Sequence, residues 1–280
     1  MKLRLYHHSD GARVAYREAG TGPGLAILHS AMLSHKEWEP VVEFLSDRFR
    51  VVLPDLPLHG DSEDRPRHPY TVDWMAEVMA GFVDEVVGPR PLVAGHELGA
   101  EVLLRAIAAG RLRPGKLVVM PTRLDAPPER GVRRRGWRLA ARTGALPLAN
   151  RVVGHGAKLM LRPEDGIRLS ARGDAAAADV VRHAVADAGG NANLARSWAR
   201  FARRWPPRRA DSGALDELRA VDCPTLLLWA DEDRVHPLAI AERAQGALRH
   251  GQLRVLQSTG FLMAYDDPAG VARELAAFLV

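Results

Sequence analysis

The sequence has very little cysteine, no long hydrophobic run and few aromatic residues. Its 280 residues include one cysteine, Cys223, which excludes an internal disulfide framework and any metal site built from several cysteines. No apolar stretch approaches the roughly 18–20 residues that cross a bilayer, and the first residues, 1 to 8, lack the apolar stretch of a signal peptide. These absences predict a soluble globular protein of the reducing cytoplasm, without a membrane partner.

Positive charge is concentrated in the middle of the chain. The formal net charge of +5 combines 19 Lys and Arg against 7 Asp and Glu between residues 121 and 210 with an acidic remainder. Such a region suits nucleic acid or an acidic ligand. However, aromatic residues are only 6% of the sequence, and no nucleic-acid-binding module is recognisable. We therefore expect a small-molecule substrate and no nucleic acid partner. The arginines are expected mainly to form a solvated face, and the alternative is that one or two of them meet an acidic or polyphenolic substrate.

Short apolar segments alternate with segments of helical periodicity at both ends of the chain. Continuous apolar runs are typical of strands buried on both faces of a parallel sheet. The strand-like segments are Lys2–Tyr6, Arg13–Glu18, Leu25–His29, Arg50–Pro54, Leu92–Gly95, Leu117–Met120, Pro224–Ala230 and Leu253–Gln257. The helical patterns are Lys36–Ser46, Val72–Val87, Leu98–Ala109, Pro237–Leu248 and Pro268–Leu279. This alternation predicts an α/β fold with right-handed crossovers.

The alternation stops between residues 122 and 210. This stretch is rich in arginine and interrupted by glycine, yet it retains apolar anchors such as Trp137, Trp198 and Trp205. It therefore indicates a helical cap inserted into a core that consists of residues 1–121 and 211–280.

Polar segments follow five of the predicted strands. They are His29-Ser30-Ala31-Met32, residues 54–62, Gly95-His96-Glu97-Leu98-Gly99, residues 229–237 and Ser258-Thr259-Gly260-Phe261. In this order they resemble the motifs of the α/β-hydrolase superfamily, which include a His-Gly turn, a G-x-S-x-G elbow, an acid loop and a Gly-His before the last helix. The resemblance spans nearly the whole chain. It implies the α/β-hydrolase fold, an eight-stranded and mostly parallel sheet with a helical cap.

The sequence departs from this family at two of the three catalytic positions. Glu97 stands where the family has its nucleophilic serine or aspartate, and Phe261 stands where it has the catalytic histidine. Asp233 matches the catalytic acid, with Asp231 as the alternative if the register shifts by two residues. Acyl transfer by serine needs a base beside the hydroxyl, and Phe261 cannot activate water to hydrolyse an ester on Glu97. These departures therefore argue against ordinary esterase, lipase or epoxide-hydrolase turnover.

Glu97 is nevertheless expected to be functional. The elbow is a strained turn that directs its central side chain into the pocket, and burying a carboxylate costs several kcal/mol unless it is paired or neutral. A site that had drifted would more readily hold a small side chain. The resemblance implies an oxyanion hole at the N–H groups of Ala31 and Leu98, for which simple helix capping is the alternative role. Without a histidine to orient, Asp233 is expected to be structural, and its carboxylate either accepts hydrogen bonds from nearby loop N–H groups or pairs with Arg234 or His236.

Another histidine can replace the missing one only if it reaches the same pocket. His236 is the favoured substitute, because it follows Asp233 by three residues on the loop at the pocket edge. Three other histidines are expected to pack, to belong to turns or to point away from the pocket: His29, His59 and His96. Two lie in the predicted cap: His155 and His183.

Three hypotheses about function remain open. The first is a non-hydrolytic, cofactor-free enzyme that uses Glu97 as acid and base on a carbonyl-bearing small molecule, with the oxyanion hole stabilising an enolate. Its reaction would be C–C bond formation or cleavage, cyclisation or isomerisation, as in natural-product biosynthesis. The second is a hydrolase of the epoxide, ester or haloalkane type with Glu97 as covalent nucleophile. The third is a catalytically inactive, ligand-binding member of the fold.

The predicted site contains no metal and combines catalytic with pocket-lining residues. The catalytic candidates are Glu97, Asp233 and His236. The residues expected to line the pocket are Ser30, Met32, His96 and Phe261. We expect a monomer or a homodimer.

Overall fold

The computed structural model describes residues 1–62, 68–124, 167–173, 175–189 and 214–280. One sheet contains β1 (Leu3–His7), β2 (Arg13–Ala19), β3 (Gly24–Leu28), β4 (Arg50–Pro54), β5 (Leu92–Gly95), β6 (Lys116–Val119), β7 (Thr225–Ala230) and β8 (Gly251–Leu256). Their order across the sheet is β1-β2-β4-β3-β5-β6-β7-β8. The β1–β2 and β2–β4 pairs are antiparallel, and the other neighbouring pairs are parallel. The predicted eight-stranded, mostly parallel sheet is confirmed.

Helices connect the strands and cover both faces of the sheet. They are α1 (Glu39–Leu45), α2 (Val72–Phe82), α3 (Leu98–Ala108), α4 (Ala175–Gly189), α5 (Ala214–Arg219), α6 (Leu238–Gln245), α7 (Met263–Asp266) and α8 (Pro268–Leu279). A 3-10 turn at His35–Glu37 precedes α1, and a π turn at Val83–Val87 follows α2. The helix predicted over Lys36–Ser46 is thus divided, because Pro40 suits the first turn of a new helix. Within the described ranges, no helix combines the length and apolar character that a membrane span requires.

Apolar side chains fill both sides of the sheet. Along β3, Leu25 and Ile27 pack on the side of α1 and α8, whereas Ala26 and Leu28 pack on the side of α2 and α3. All four are at most 1% exposed. Because fully burying a Leu or Ile side chain stabilises a protein by about 1.5–3 kcal/mol, the two cores hold the central strands firmly in place.

The carboxyl ends of the central strands lie at one edge of the sheet. Leu28 at the end of β3 pairs with Gly95 at the end of β5, which in turn pairs with Val119 at the end of β6. Ligands of open parallel sheets bind outside this edge. The segments that follow β3, β5 and β7 therefore meet there, and they carry most of the predicted site residues.

The division into a core and a cap remains a prediction. Most of residues 122–210, including Trp137, Trp198 and Trp205, lie outside the described residues. Within this range, α4 packs against Leu33, which follows β3, and Leu262, which follows β8. This contact places α4 over the carboxyl edge of the sheet.

Candidate active site

Glu97 lies at a sharp turn between β5 and α3. Its backbone has φ 46° and ψ −107°, a conformation that is strained for a residue with a side chain. Two glycines permit the turn. A Cβ atom on Gly95 would lie 2.6 Å from the nitrogen of Ala100, and one on Gly99 would lie 2.6 Å from the oxygen of Leu28. The spacing of the two glycines around Glu97 is therefore a steric requirement of this turn.

The carboxylate of Glu97 occupies the predicted oxyanion hole itself. The N–H of Ala31 donates to Oε2 at 2.9 Å, and the N–H of Leu98 donates to the same oxygen at 2.8 Å. Among the described residues, Oε1 has no hydrogen-bond partner. The start of α3 and these two donors stabilise the negative charge. This arrangement corrects the expectation that the two N–H groups await the oxygen of a substrate enolate, because Glu97 already fills the space.

Glu37, which sequence analysis overlooked, holds the loop that carries Ala31. Its Oε2 accepts from the N–H of Ser30 at 2.7 Å and from the Ser30 hydroxyl at 3.0 Å. Its Oε1 bonds Nδ1 of His96 at 2.5 Å. Burial alone would lower the pKa of His96, but the charge and hydrogen bond of Glu37 outweigh it and raise that pKa. In the sequence, Glu37 looks like an acidic residue on the surface of a helix. Its burial depends on the tertiary structure, so the sequence alone could not identify it.

Asp233 and His236 form a second buried pair in the loop after β7. Oδ2 of Asp233 bonds Nδ1 of His236 at 3.1 Å, while Oδ1 accepts from the N–H groups of Val235 and His236 at 2.7 and 3.1 Å. Burial alone would raise the pKa of Asp233, but the hydrogen bonds and the charge of His236 lower it. The indole N–H of Trp229 donates to the carbonyl of His236 at 2.8 Å. This loop is therefore rigidly built around Asp233.

Phe261 lies between the two imidazoles. Its ring centroid is 4.5 Å from that of His96 and 5.8 Å from that of His236, with interplanar angles of 44° and 23°. Nε2 of each histidine is buried and has no hydrogen-bond partner in the described part of the chain. A phenyl ring thus separates two histidines that are each anchored by a carboxylate.

A cavity of about 160 Å³ opens beside Phe261. Its walls include Phe261, Asp233, Glu232, Arg234, Arg168 and Ser170. Of the four residues predicted to line the pocket, Phe261 alone lines this cavity. Ser30 and His96 are fully buried, and Met32 is half-buried with φ 69°.

Asp266, a second residue that sequence analysis missed, bonds Ser170 and Ala171 in the wall of this cavity. Oδ2 of Asp266 accepts from the N–H of Gly260 at 2.7 Å and from the N–H of Ala171 at 2.9 Å, and Oδ1 bonds the Ser170 hydroxyl. These bonds tie the segment 167–173 to the loop that carries Phe261. The sequence offered no signal for this contact beyond an acidic residue shortly before the last helix.

The turn histidines have structural contacts. Nε2 of His29 accepts from the N–H of Leu56 at 2.9 Å, and Nδ1 of His59 bonds the carbonyl of Pro57 at 3.1 Å. Burial lowers the pKa of both, that of His59 to about 3, so both are uncharged at neutral pH. His183 is exposed on α4, whereas His155 lies outside the described residues.

Among the described residues, one cluster has the donor atoms of a metal site. His35, Asp55 and Asp61 place one ligand atom each within 4.8 Å of one another. However, the guanidinium of Arg17 lies 2.6 Å from Asp61 and 3.6 Å from Asp55. Arg17 therefore already supplies the positive charge that these carboxylates require.

Comparison with known proteins identifies the family and the fold of this chain. Residues 25–274 match the family described as the Alpha/beta hydrolase family. An uncharacterized protein of Mycobacterium tuberculosis is 26% identical over 284 residues, which cover 96% of this chain and 78% of that protein. A soluble epoxide hydrolase of a Corynebacterium species is 33% identical over 105 residues, 36% of each chain. The structure of a thermophilic esterase from Thermogutta terrifontis superposes with a TM-score of 0.79 at 22% identity, covering 100% of this chain and 98% of that one. The fold is therefore the α/β-hydrolase fold.

Proposed function

Because the chain belongs to the alpha/beta hydrolase family, we propose that it is an enzyme in which Glu97 attacks an electrophilic carbon of a small molecule, an epoxide or a haloalkane. One observation carries this proposal. Glu97 presents a carboxylate whose Oε2 is held by two N–H groups and whose Oε1 has no partner among the described residues.

The different hydrogen bonding of the two carboxylate oxygens of Glu97 is compatible with a covalent intermediate. Attack by Oε1 forms an ester bond and breaks the C–O bond of an epoxide, which leaves an alkoxide on the substrate, or the C–halogen bond of a haloalkane, which releases halide. Oε2 then becomes the carbonyl oxygen of that ester, still between the N–H groups of Ala31 and Leu98. When water adds to the ester carbon, negative charge develops on Oε2, where the two donors stabilise it. The occupied oxyanion hole therefore serves an ester on Glu97 better than it serves an external carbonyl.

A non-hydrolytic reaction is the second candidate, and Phe261 favours it. The position that supplies the water-activating histidine in the family holds a phenyl ring, which cannot accept a proton. An acid–base role for Glu97 in isomerisation or C–C bond chemistry avoids the need for that histidine. It does require Glu97 to leave the two N–H groups before they can bind an enolate.

Isotope labelling separates these functions. The protein is incubated for a single turnover with styrene oxide or 1-bromobutane in heavy-oxygen water, and the peptide that contains Glu97 is then analysed by mass spectrometry. Attack by Glu97 predicts an ester on this peptide, followed by one heavy oxygen in its carboxylate. Turnover that leaves Glu97 unlabelled would contradict the proposal. Deuterium exchange beside the carbonyl of ethyl acetoacetate, lost in Glu97→Gln, would support the acid–base candidate instead.

A further inference from the structure

The site lacks a base at position 261, but the acid of the triad has kept a histidine partner. Asp233 bonds Nδ1 of His236 at 3.1 Å, and the N–H groups of Val235 and His236 fix its other oxygen. An imidazole that donates from Nδ1 to a carboxylate leaves Nε2 as the proton acceptor. The acid–base pair has thus been rebuilt within one loop, three residues apart.

The ring of His236 lies beside the place of the missing histidine. It is stacked on Phe261 at 23° with 5.8 Å between centroids. Its Nε2 is buried without a hydrogen-bond partner in the described part of the chain. A buried polar atom that is left unpaired destabilises the folded protein, which indicates a role for this nitrogen in another state of the site.

We propose that His236 is the base that activates water for hydrolysis of the Glu97 ester, and that the side chain of Phe261 controls the access of water to Nε2 of His236. This inference rests on the proposed function. The cavity of about 160 Å³ is lined by Phe261, Asp233 and Val235 but not by His236 itself, so water in the cavity reaches His236 only when the ring of Phe261 moves. When the phenyl ring turns into that cavity, Nε2 of His236 faces the space that the ring has left.

The step balances without any further reactant. Water attacks the ester carbon of Glu97 and gives its proton to Nε2 of His236, while the negative charge forms on Oε2. The tetrahedral intermediate then collapses, the bond between the carbon and Oε1 of the substrate ester breaks through acyl cleavage, and the departing alkoxide takes the proton from His236. Glu97 is left as a carboxylic acid with one oxygen from water, and it loses its proton to the alkoxide of the opened epoxide or, after haloalkane attack, to solvent. The product is a diol from the epoxide or an alcohol from the haloalkane.

His96, on the other side of Phe261, is less suited to this role. The charge of Glu37 raises the pKa of His96, so His96 tends to hold a proton instead of accepting one. Its place one residue before Glu97 in the strained turn also fixes it between β5 and Glu37.

The test follows the lifetime of the ester on Glu97 by mass spectrometry after styrene oxide or 1-bromobutane has been added. In His236→Ala, the ester forms but its hydrolysis slows by roughly 100-fold or more, the loss typical of a removed base. Added imidazole restores part of the rate, which a purely structural role of His236 would not allow. Phe261→Ala shortens the lifetime of the ester, because water reaches Nε2 without rotation of the ring.

A matched control uses a histidine in the same kind of pair. Nδ1 of His8 bonds Asp10 at 2.9 Å in the N-terminal hairpin, and His8→Gln leaves the lifetime of the ester unchanged. His236→Gln, whose amide can still donate to Asp233, serves if His236→Ala does not fold.

The outcomes distinguish the inference from the proposed function. An ester that is hydrolysed at the wild-type rate in both His236 variants would overturn the role of His236 and leave Glu97 as the nucleophile. The absence of an ester on Glu97 in wild type, in the His236 variants and in Phe261→Ala alike would overturn the proposed function and this inference with it.

Discussion

The elbow after β5 and the loop after β7 each bury a carboxylate, but they leave the two acids with different freedom. Glu97 is 7% exposed and Asp233 is 6% exposed. Both oxygens of Asp233 are bonded, to two N–H groups and an imidazole. Only one oxygen of Glu97 has partners among the described residues. Equal burial therefore does not mean equal function, and the unbonded oxygen marks the group that is available for chemistry.

Backbone strain separates the same two regions. Glu97 has a positive φ of 46°, and the loop of Asp233 contains no positive φ between residues 231 and 237. A strained residue persists only where the surrounding structure holds it, as Gly95, Gly99 and the end of β6 do here. The elbow therefore holds Glu97 in a strained backbone conformation that orients its side chain. The acid loop, in contrast, brings Asp233 and His236 together without a positive φ.

Removing the charge of Glu97 is expected to have the largest effect. Glu97→Gln keeps the size of the side chain and an acceptor for the two N–H groups, but it can neither attack carbon nor transfer a proton. We expect turnover of the reactive epoxide or bromoalkane to fall by roughly 100- to 10,000-fold, with substrate binding retained. Glu97→Asp keeps part of the rate in the non-hydrolytic case. A folded Glu97→Gln protein with wild-type turnover would refute any chemical role for the elbow.

Glu37 is a third buried carboxylate, and both of its oxygens are hydrogen-bonded, as are those of Asp233. Its removal is expected to have the second largest effect. Glu37→Ala leaves His96 buried without its partner and frees the N–H of Ser30. We expect a loss of about 3–5 kcal/mol in the free energy of unfolding, as for other broken buried ion pairs. Urea denaturation measures it, and Glu43→Ala on the exposed face of α1 is the control, with a change within about 0.5 kcal/mol. Equal stabilities of the two variants would mean that the buried pair contributes nothing.

Asp233→Asn tests whether the acid loop is held by its carboxylate. The amide keeps one acceptor but loses the charge that pairs with His236, so we expect a loss of about 1–3 kcal/mol. Thermal or urea denaturation measures this loss, with Asp222→Asn on the surface as the control. The Glu97 ester should still form in Asp233→Asn but should be hydrolysed more slowly. Complete loss of ester formation in a folded variant would place Asp233 in the first chemical step instead.

The pair of Glu37 and His96 also predicts a pH dependence of stability, the smallest of the four effects. The pKa of His96 is raised above its ordinary value of 6.5 in the folded protein. Its contribution is therefore fully present below pH 6.5 and is lost as the pH rises through the folded value. The difference in stability between wild type and Glu37→Ala should thus shrink from pH 6 towards alkaline pH, as urea denaturation would show. A difference that is constant with pH would contradict the raised pKa.

Much of the fold could be predicted because its signals are local. The apolar runs of β3, β5 and β7 are typical of buried strands and could be recognised from the sequence alone. The order of the polar segments that follow these strands predicted where the site would form. The resemblance of Gly95–Glu97–Gly99 to the family's motif predicted the elbow, and in the structure a Cβ on either glycine would strike backbone atoms. Element ends moved by a few residues where a proline or a π turn intervened, as at Pro40 and after Phe82.

By itself, the sequence determined the α/β class, the mostly parallel sheet and the identity of the side chain at the elbow. Those properties depend on residues that are close together in the sequence, through the periodicity of apolar side chains and short-range steric contacts. Only the tertiary structure decided that Glu97 would accept hydrogen bonds from the N–H groups of Ala31 and Leu98, that Glu37 would become a buried partner of His96 and that Phe261 would separate two histidines. These contacts join residues far apart in the chain, and their energies depend on burial and on which donors remain free. Neither quantity exists until the strands and loops have come together.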